Sequence, residues 1–268
     1  MYYNKNIGCD NMKKRVISAI VVLAIFIPLV IVGKLPFKIV ITLLAVLGLK
    51  EFLDLPHKNK RPKYVDVILY AMVILLTFLN ERREIYYILT LLLPMLAVIY
   101  CNDNKKYNAD EAFKLSAMTI LLGTIFNKFI AIREESIMLF VYLFLITIMT
   151  DTYAHMAGTL VGKHKFAPKI SPNKTWEGAI IGGIFGTLIP ATFYHIFVSH
   201  SANVMFLLVI TLLLSCLGQL GDLFFSAVKR NHKIKDFSNL MPGHGGVLDR
   251  LDSIIFVIMG YILLSGII

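Results

Sequence analysis

Long apolar runs, separated by short clusters of charge, dominate this chain. They fall at about 16–33, 37–54, 64–80, 85–101, 112–131, 136–160, 178–198, 203–227 and 253–268. Each is close to the roughly 20 residues that cross a bilayer as a helix. The pattern predicts an all-α, polytopic membrane protein of about nine transmembrane helices. Composition agrees: 57% of the 268 residues are hydrophobic and 16% charged, with a mean hydropathy of +0.72. A soluble domain carries about 45–50% apolar and about 25% charged residues, so a soluble globule is excluded. The basic flank Met12-Lys13-Lys14-Arg15 resembles that of a signal peptide and reads as a natural translational start. Ile17 to Val32 is long, however, and no small-residue cleavage site follows, so the first run is expected to stay as an anchor.

Charge adds orientation. Of the 27 Lys and Arg residues, 21 fall on the side of the N-terminus in this scheme and 6 on the other. The positive-inside rule then places the N-terminus in the cytoplasm and the C-terminus outside. The net charge of +10 therefore marks cytoplasmic loops and anionic partners, not nucleic acid. Cys9, Cys101 and Cys216 are scattered and give no disulfide framework. The chain reads as one integral membrane domain in two parts: residues 1–135 with about five spans, and 136–268 with about four spans and two cytoplasmic loops, 163–176 and 229–250.

In the second part polar groups enter the spans. An ionised Asp at the centre of a spanning helix costs about 2.5–3.5 kcal/mol on the insertion scale, so one that persists faces a cavity, a partner or an ion. Asp151 and Asp222 are such residues. Gln219, Asp222, Ser226 and Lys229 share one helical face by their spacing, a polar stripe running toward the cytoplasm. The stripe is either a ligand-binding face or an Asp–Lys pair that joins helices. Asp151, His155 and Gly158 form a shorter stripe of the same kind, in which His155 alone is more often an interior histidine than a ligand.

Between the sixth and seventh runs lie four lysines (Lys163, Lys165, Lys169, Lys174), the stiffening Pro168 and Pro172, and the hydroxyls of Ser171 and Thr175. This set suits phosphates; it also suits a plain basic loop anchored by Trp176. The densest chemistry spans residues 222–252. Lys229, Arg230 and Lys235 precede Pro242-Gly243-His244-Gly245-Gly246, whose glycines let backbone N–H groups approach an anion. Asp249-Arg250-Leu251-Asp252 then opens the last run. Antiparallel eighth and ninth helices can bring Asp249 opposite Asp222. Two carboxylates flanked by Lys and Arg make a candidate site for Mg²⁺ and a polyphosphate, because Mg²⁺ is held by one or two carboxylates plus substrate phosphates. Residues alone lead to phosphoryl-type chemistry at a membrane surface and no further.

Ser226-Ala227-Val228-Lys229-Arg230, then Lys235-Asp236, then Pro242 through Asp252 closely resembles the signature of the phosphatidate cytidylyltransferases, the CDP-diacylglycerol synthases. Asp151-Thr152, Gly158 and the stretch Ser171 to Gly178 resemble that family as well, so the likeness is strong over about residues 150–252. Ser238, Met241 and His155 depart from its commonest residues, and none is a charged position of the motif.

The resemblance implies a nucleotidyltransferase of phospholipid biosynthesis that converts CTP and phosphatidate into CDP-diacylglycerol and pyrophosphate. Its expected setting is the cytoplasmic face of a bacterial cytoplasmic membrane, with Mg²⁺ and, as a candidate second cation, K⁺. It implies Asp222 and Asp249 as metal ligands and phosphate neutralisation by Lys229, Arg230, Lys235 and Arg250. Asp236 and Asp252 would orient those groups or add ligands, and His244 would either donate to a phosphate or lock the glycine-rich turn. Ser171, Lys174 and Thr175 would clamp a substrate phosphate, and Ser226, Gly245 and Gly246 complete the substrate-binding set. The bilayer is the other partner, and a homodimer is left open. An ion-coupled transporter fits less well, since polar residues gather at one face of one half and no internal repeat is evident. A sibling enzyme using CTP on another lipid differs only in its tail, which the motif does not read.

Overall fold

Residues 24–56, 61–79, 83–101, 107–240 and 245–265 are described by the structure, a computed structural model. The start of the first apolar run and His244 lie outside these residues. Among them the chain forms nine helices and one small hairpin: α1 (24–32), α2 (Lys34–Leu53), α3 (Lys63–Phe78), α4 (Arg83–Cys101), α5 (Ala109–Glu135), α6 (Ile137–Leu160), β1 (Lys165–Ala167), β2 (Ser171–Thr175), α7 (Trp176–Phe197), α8 (Val204–Asn231) and α9 (Leu248–Leu264). The all-α membrane class expected from the apolar runs is what the chain adopts. By length and composition, five of the helices, α4 to α8, can cross a membrane. α3 and α9, at 16 and 17 residues, are shorter than those five, and α2 carries Lys34, Lys38, Lys50 and Glu51.

The chain divides into two compact units, Met1–Ala131 with Phe237–Val247, and Ile132–Asp236 with Leu248–Ile268. In the first, Gly33 at φ 64° breaks α1 from α2. Phe37, Ile41, Ala45 and Leu49 repeat every four residues along α2 and are buried. They form one apolar stripe of the width that helix packing requires. α3 buries Val65, Leu69, Val73 and Leu76. α5 locks onto it at Gly123, where a Cβ would fall 2.5 Å from Leu76 Cβ, and at Asn127, whose amide donates to Thr77 O at 2.9 Å.

In the second unit, Ser136 separates α5 from α6 and caps α6 by accepting the Leu139 N–H at 3.2 Å. α6 and α7 pack at backbone distance along Gly178, Gly182 and Gly186. A Cβ at these positions would meet Ala154 O at 2.6 Å, Thr150 O at 2.7 Å and Thr150 Oγ1 at 2.0 Å. Small residues every fourth position permit this approach, which in lipid substitutes for a hydrophobic drive between helices. Hydroxyl pairs add to it: Tyr142 with Thr211 at 2.8 Å and Thr150 with Ser215 at 2.7 Å join α6 to α8. Gly221 brings α8 against α9, since a Cβ there would lie 2.6 Å from Asp252 O. Large apolar side chains such as Ile148, Met156 and Leu160 of α6 and Val209, Leu213 and Leu220 of α8 point outward, as a lipid-facing surface requires.

The segment between α6 and α7, read from sequence as a stiff loop, is an antiparallel hairpin with Lys165 opposite Thr175 and Ala167 opposite Ser171. Pro168 follows Ala167 in the turn, which Ile170 N closes by donating to Ala167 O at 3.1 Å. Pro172 is tolerated because a two-stranded hairpin has only edge strands. At its base Trp176 N donates to His164 O at 2.9 Å, and the Glu177 carboxylate binds both the backbone N–H and the ring of His164.

Candidate active site

Six elements of the second unit, α6, β1, β2, α7 through Ala179, α8 and α9, surround a cavity of about 730 Å³. α6 contributes Asp151, His155, Gly158 and Thr159, and the hairpin contributes Lys165, Ser171, Asn173, Lys174 and Thr175. α8 adds Gln219 and Asp222; α9 adds Asp249, Arg250, Asp252 and Ser253. Thr175 also caps α7, its hydroxyl accepting from Gly178 N at 3.2 Å. The helix cap thereby fixes one wall of the cavity.

The polar stripe of α8 is assembled as its spacing requires. Gln219 Nε2 donates to Ala179 O at 3.2 Å. Lys174 Nζ lies 2.7 Å from Asp222 Oδ2 and Ser226 Oγ donates to Asp222 Oδ1 at 3.2 Å. Lys229 Nζ donates to Asp249 Oδ1 at 2.7 Å, tying α8 to the first turn of α9. Asp252 is buried, and its Oδ1 accepts from Ser253 N at 2.8 Å.

The residues singled out from sequence thus take different places. Ser171, Lys174, Thr175, Asp222, Asp249, Arg250 and Asp252 line the cavity, while Ser226 and Lys229 stand behind Asp222 and Asp249 and hold them. Arg230 instead donates to Ile170 O at 3.3 Å and Ile234 O at 2.9 Å, bracing the hairpin turn. Lys235 and Asp236 are exposed and do not line the cavity. Gly245 and Gly246 belong to the first unit, where Gly246 lies against Glu51. Asp151, which from sequence could hold a cation, orient a base or stay neutral and hydrogen-bonded, and His155, which reads more readily as an interior histidine than a ligand, are both wall residues, and Asn173, Thr159 and Ser253 join them. Nothing in the spacing of Ser253 distinguished it.

Four carboxylates and the cations Lys165, Lys174 and Arg250 therefore face one space. Among the described residues no three or more His, Cys, Asp or Glu side chains form a ready metal cage. That donor set still fits Mg²⁺, which uses one or two carboxylates and completes its shell with water and substrate phosphates. Asp222 and Asp249 are the ligands it would take. The arrangement can bind a polyanion by its cations and a divalent ion by its carboxylates at once.

Sequence comparison bears on which polyanion. Residues 13–267 match the model of the Cytidylyltransferase family. The chain is 37% identical over 256 residues to a phosphatidate cytidylyltransferase of Staphylococcus aureus (strain COL), covering 92% of this chain and 96% of that protein. It is also 37% identical over 259 residues to the phosphatidate cytidylyltransferase of Bacillus subtilis (strain 168), covering 92% and 95%. With the family model matching residues 13–267 and both relatives 37% identical over 92% of the chain, this chain belongs to the cytidylyltransferase family.

Proposed function

We propose that this protein is a CTP:phosphatidate cytidylyltransferase, which transfers CMP from CTP to phosphatidate and so makes CDP-diacylglycerol and pyrophosphate. The observation that carries the reading is the meeting of Asp222, Asp249, Asp252, Lys174 and Arg250 in one cavity whose wall helix α6 is apolar on its outer side. Such a site can take a charged nucleotide from water and a lipid phosphate from the bilayer. Burying acyl chains contributes roughly 0.8 kcal/mol per CH₂.

In the reaction an ionised oxygen of the phosphatidate phosphate attacks the α-phosphorus of CTP in line. A new P–O bond forms, the bond from the α-phosphorus to the α,β-bridging oxygen breaks, and pyrophosphate leaves with that electron pair. Lys174, Lys165 and Arg250 neutralise charge on the phosphate oxygens and hold them in register, the two effects that dominate phosphoryl transfer. Ser226 and Lys229 keep the Asp222 and Asp249 carboxylates oriented. A divalent ion bound there, Mg²⁺ in this reading, supplies further neutralisation of the triphosphate. K⁺ is proposed as a second cation. The basic residues clustered around 163–174 and 229–250 support a site on the cytoplasmic face of a bacterial membrane. A single chain supplies the cavity, and a homodimer is compatible with it.

The test is pyrophosphate release by the purified protein in detergent with CTP and Mg²⁺, with and without phosphatidate, beside Asp249→Asn. Release that requires phosphatidate, yields CDP-diacylglycerol and is lost in the variant is the expected result. Nucleotide binding without any response to phosphatidate would favour a sibling enzyme acting on another lipid.

A further inference from the structure

Glu51 lies in the last turn of α2 and looks in sequence like a solvated helix end beside Lys50. It is instead buried, with 4% of its surface exposed. One of its oxygens, Oε1, accepts from Ser238 Oγ at 2.6 Å and from Val247 N at 2.8 Å, partners 187 and 196 residues away in sequence. The same carboxylate lies against Gly246, where a Cβ would come within 2.5 Å of Oε1. Gly245, just before it, holds φ at 82°, a backbone conformation that favours glycine. Phe237 and Val247, of the same unit, adjoin these residues in sequence and are buried.

We propose that Glu51 is a positioning residue of the enzyme, fixing the backbone of Gly245-Gly246-Val247 through a carboxylate that accepts from both Ser238 and Val247. The proposal rests on the function given above, because the glycine pair lies inside the motif that carries the family signature. Val247 is followed within two residues by Asp249, a cavity carboxylate. A helix end has cheaper ways to hold a loop. A carboxylate is costly to bury unless its oxygens are hydrogen-bonded, as Oε1 is here to Ser238 and Val247. Those bonds help set the conformation of a segment whose two glycines permit many backbone conformations. Glu51 touches no reacting atom in this account and acts through the backbone it holds.

Two readouts on the full-length protein in detergent test this. Hydrogen exchange by mass spectrometry over residues 245–248 reports the held backbone, and steady-state kinetics with CTP and phosphatidate report its consequence. Glu51→Ala is expected to speed exchange there and lower kcat by about 100-fold, the scale of a small misplacement near a reacting centre, with a smaller change in KM. Glu51→Gln, which keeps an acceptor oxygen at the same reach, restores kcat to within about tenfold of wild type. Ser238→Ala, which deletes one hydroxyl and leaves a folded protein if Glu51→Ala does not, gives the same changes in milder form. Unaltered exchange in Ser238→Ala and Glu51→Ala, or faster exchange with unchanged kcat, overturns the proposal. A wild type that ignores phosphatidate overturns the functional reading instead and leaves the exchange result standing.

Discussion

Lys174 of β2 and Asp222 of α8, both lining the cavity, form an ion pair at 2.7 Å whose side chains are 27% and 30% exposed. A pair so accessible contributes little to folding, about 0.2–1 kcal/mol. It is also free to exchange partners: incoming phosphate competes for the lysine and a cation for the carboxylate. Lys174→Ala is therefore expected to leave the thermal midpoint in detergent nearly unchanged while lowering pyrophosphate release by about 100-fold. A large drop in thermal stability with proportionate loss of activity would make the pair a structural one.

Lys229 and Asp249 are joined at the same distance, 2.7 Å, but only 10% and 5% of their side chains are exposed. Removing one member takes from a buried charge its ion-pair partner at 2.7 Å, and breaking a buried pair in this way costs about 3–5 kcal/mol. Lys229→Met and Asp249→Asn should each lower the thermal midpoint. The double variant, with neither charge left, should recover most of the lost stability and none of the activity. Melting curves and the pyrophosphate assay, run below the single variants' midpoints, separate the two contributions. Activity returning with stability would show that Asp249 serves the fold alone.

The Gln219, Asp222, Ser226 and Lys229 stripe was legible because the helical period alone places those residues on one face, and in an apolar span such a face needs a reason. Its partners were not. Lys174 belongs to a loop that charge counting assigns equally well to solvent, and only the hairpin register turns it toward α8. The hairpin itself left no periodic trace, since three residues of β1 and five of β2 are too few for alternation to register. Arg230, Lys235 and Asp236 carry the same motif as Lys229, yet they lie past the point where α8 faces the cavity. Glu51 was hidden for the opposite reason: a charge at a helix end is ordinary, and its burial comes from residues nearly two hundred positions away.

Gly186 and Gly183 test the α6–α7 contact with an internal control. A Cβ at Gly186 would sit 2.0 Å from Thr150 Oγ1, whereas at Gly183 the nearest atom is Gln219 Nε2 at 3.8 Å. Gly186→Ala should cost about 1–3 kcal/mol through overpacking. Gly183→Ala should be neutral or stabilising by up to about 1 kcal/mol, as alanine favours the helix. Thermal melts of the two variants check this. Equal effects would mean that helix propensity, not packing distance, governs this interface.

Because Asp222 and Asp249 each already face a lysine, a divalent cation entering the nucleotide-free protein must displace an ammonium group. CTP changes that competition by offering phosphates to the lysines and further oxygen ligands to the metal. Mg²⁺ and CTP should consequently bind with positive coupling, and since coupling is reciprocal each raises the other's affinity by the same factor. The thermal midpoint should rise little with Mg²⁺ alone, and more with Mg²⁺ and CTP together than the two separate shifts combined. Chelation should abolish pyrophosphate release and added Mg²⁺ restore it, with Na⁺ in place of K⁺ testing the second cation. Lys174→Ala should increase the shift given by Mg²⁺ alone, since one competitor for Asp222 is gone, even as turnover falls. Equal Mg²⁺ shifts with and without CTP, in wild type and variant alike, would place the ion away from these two carboxylates.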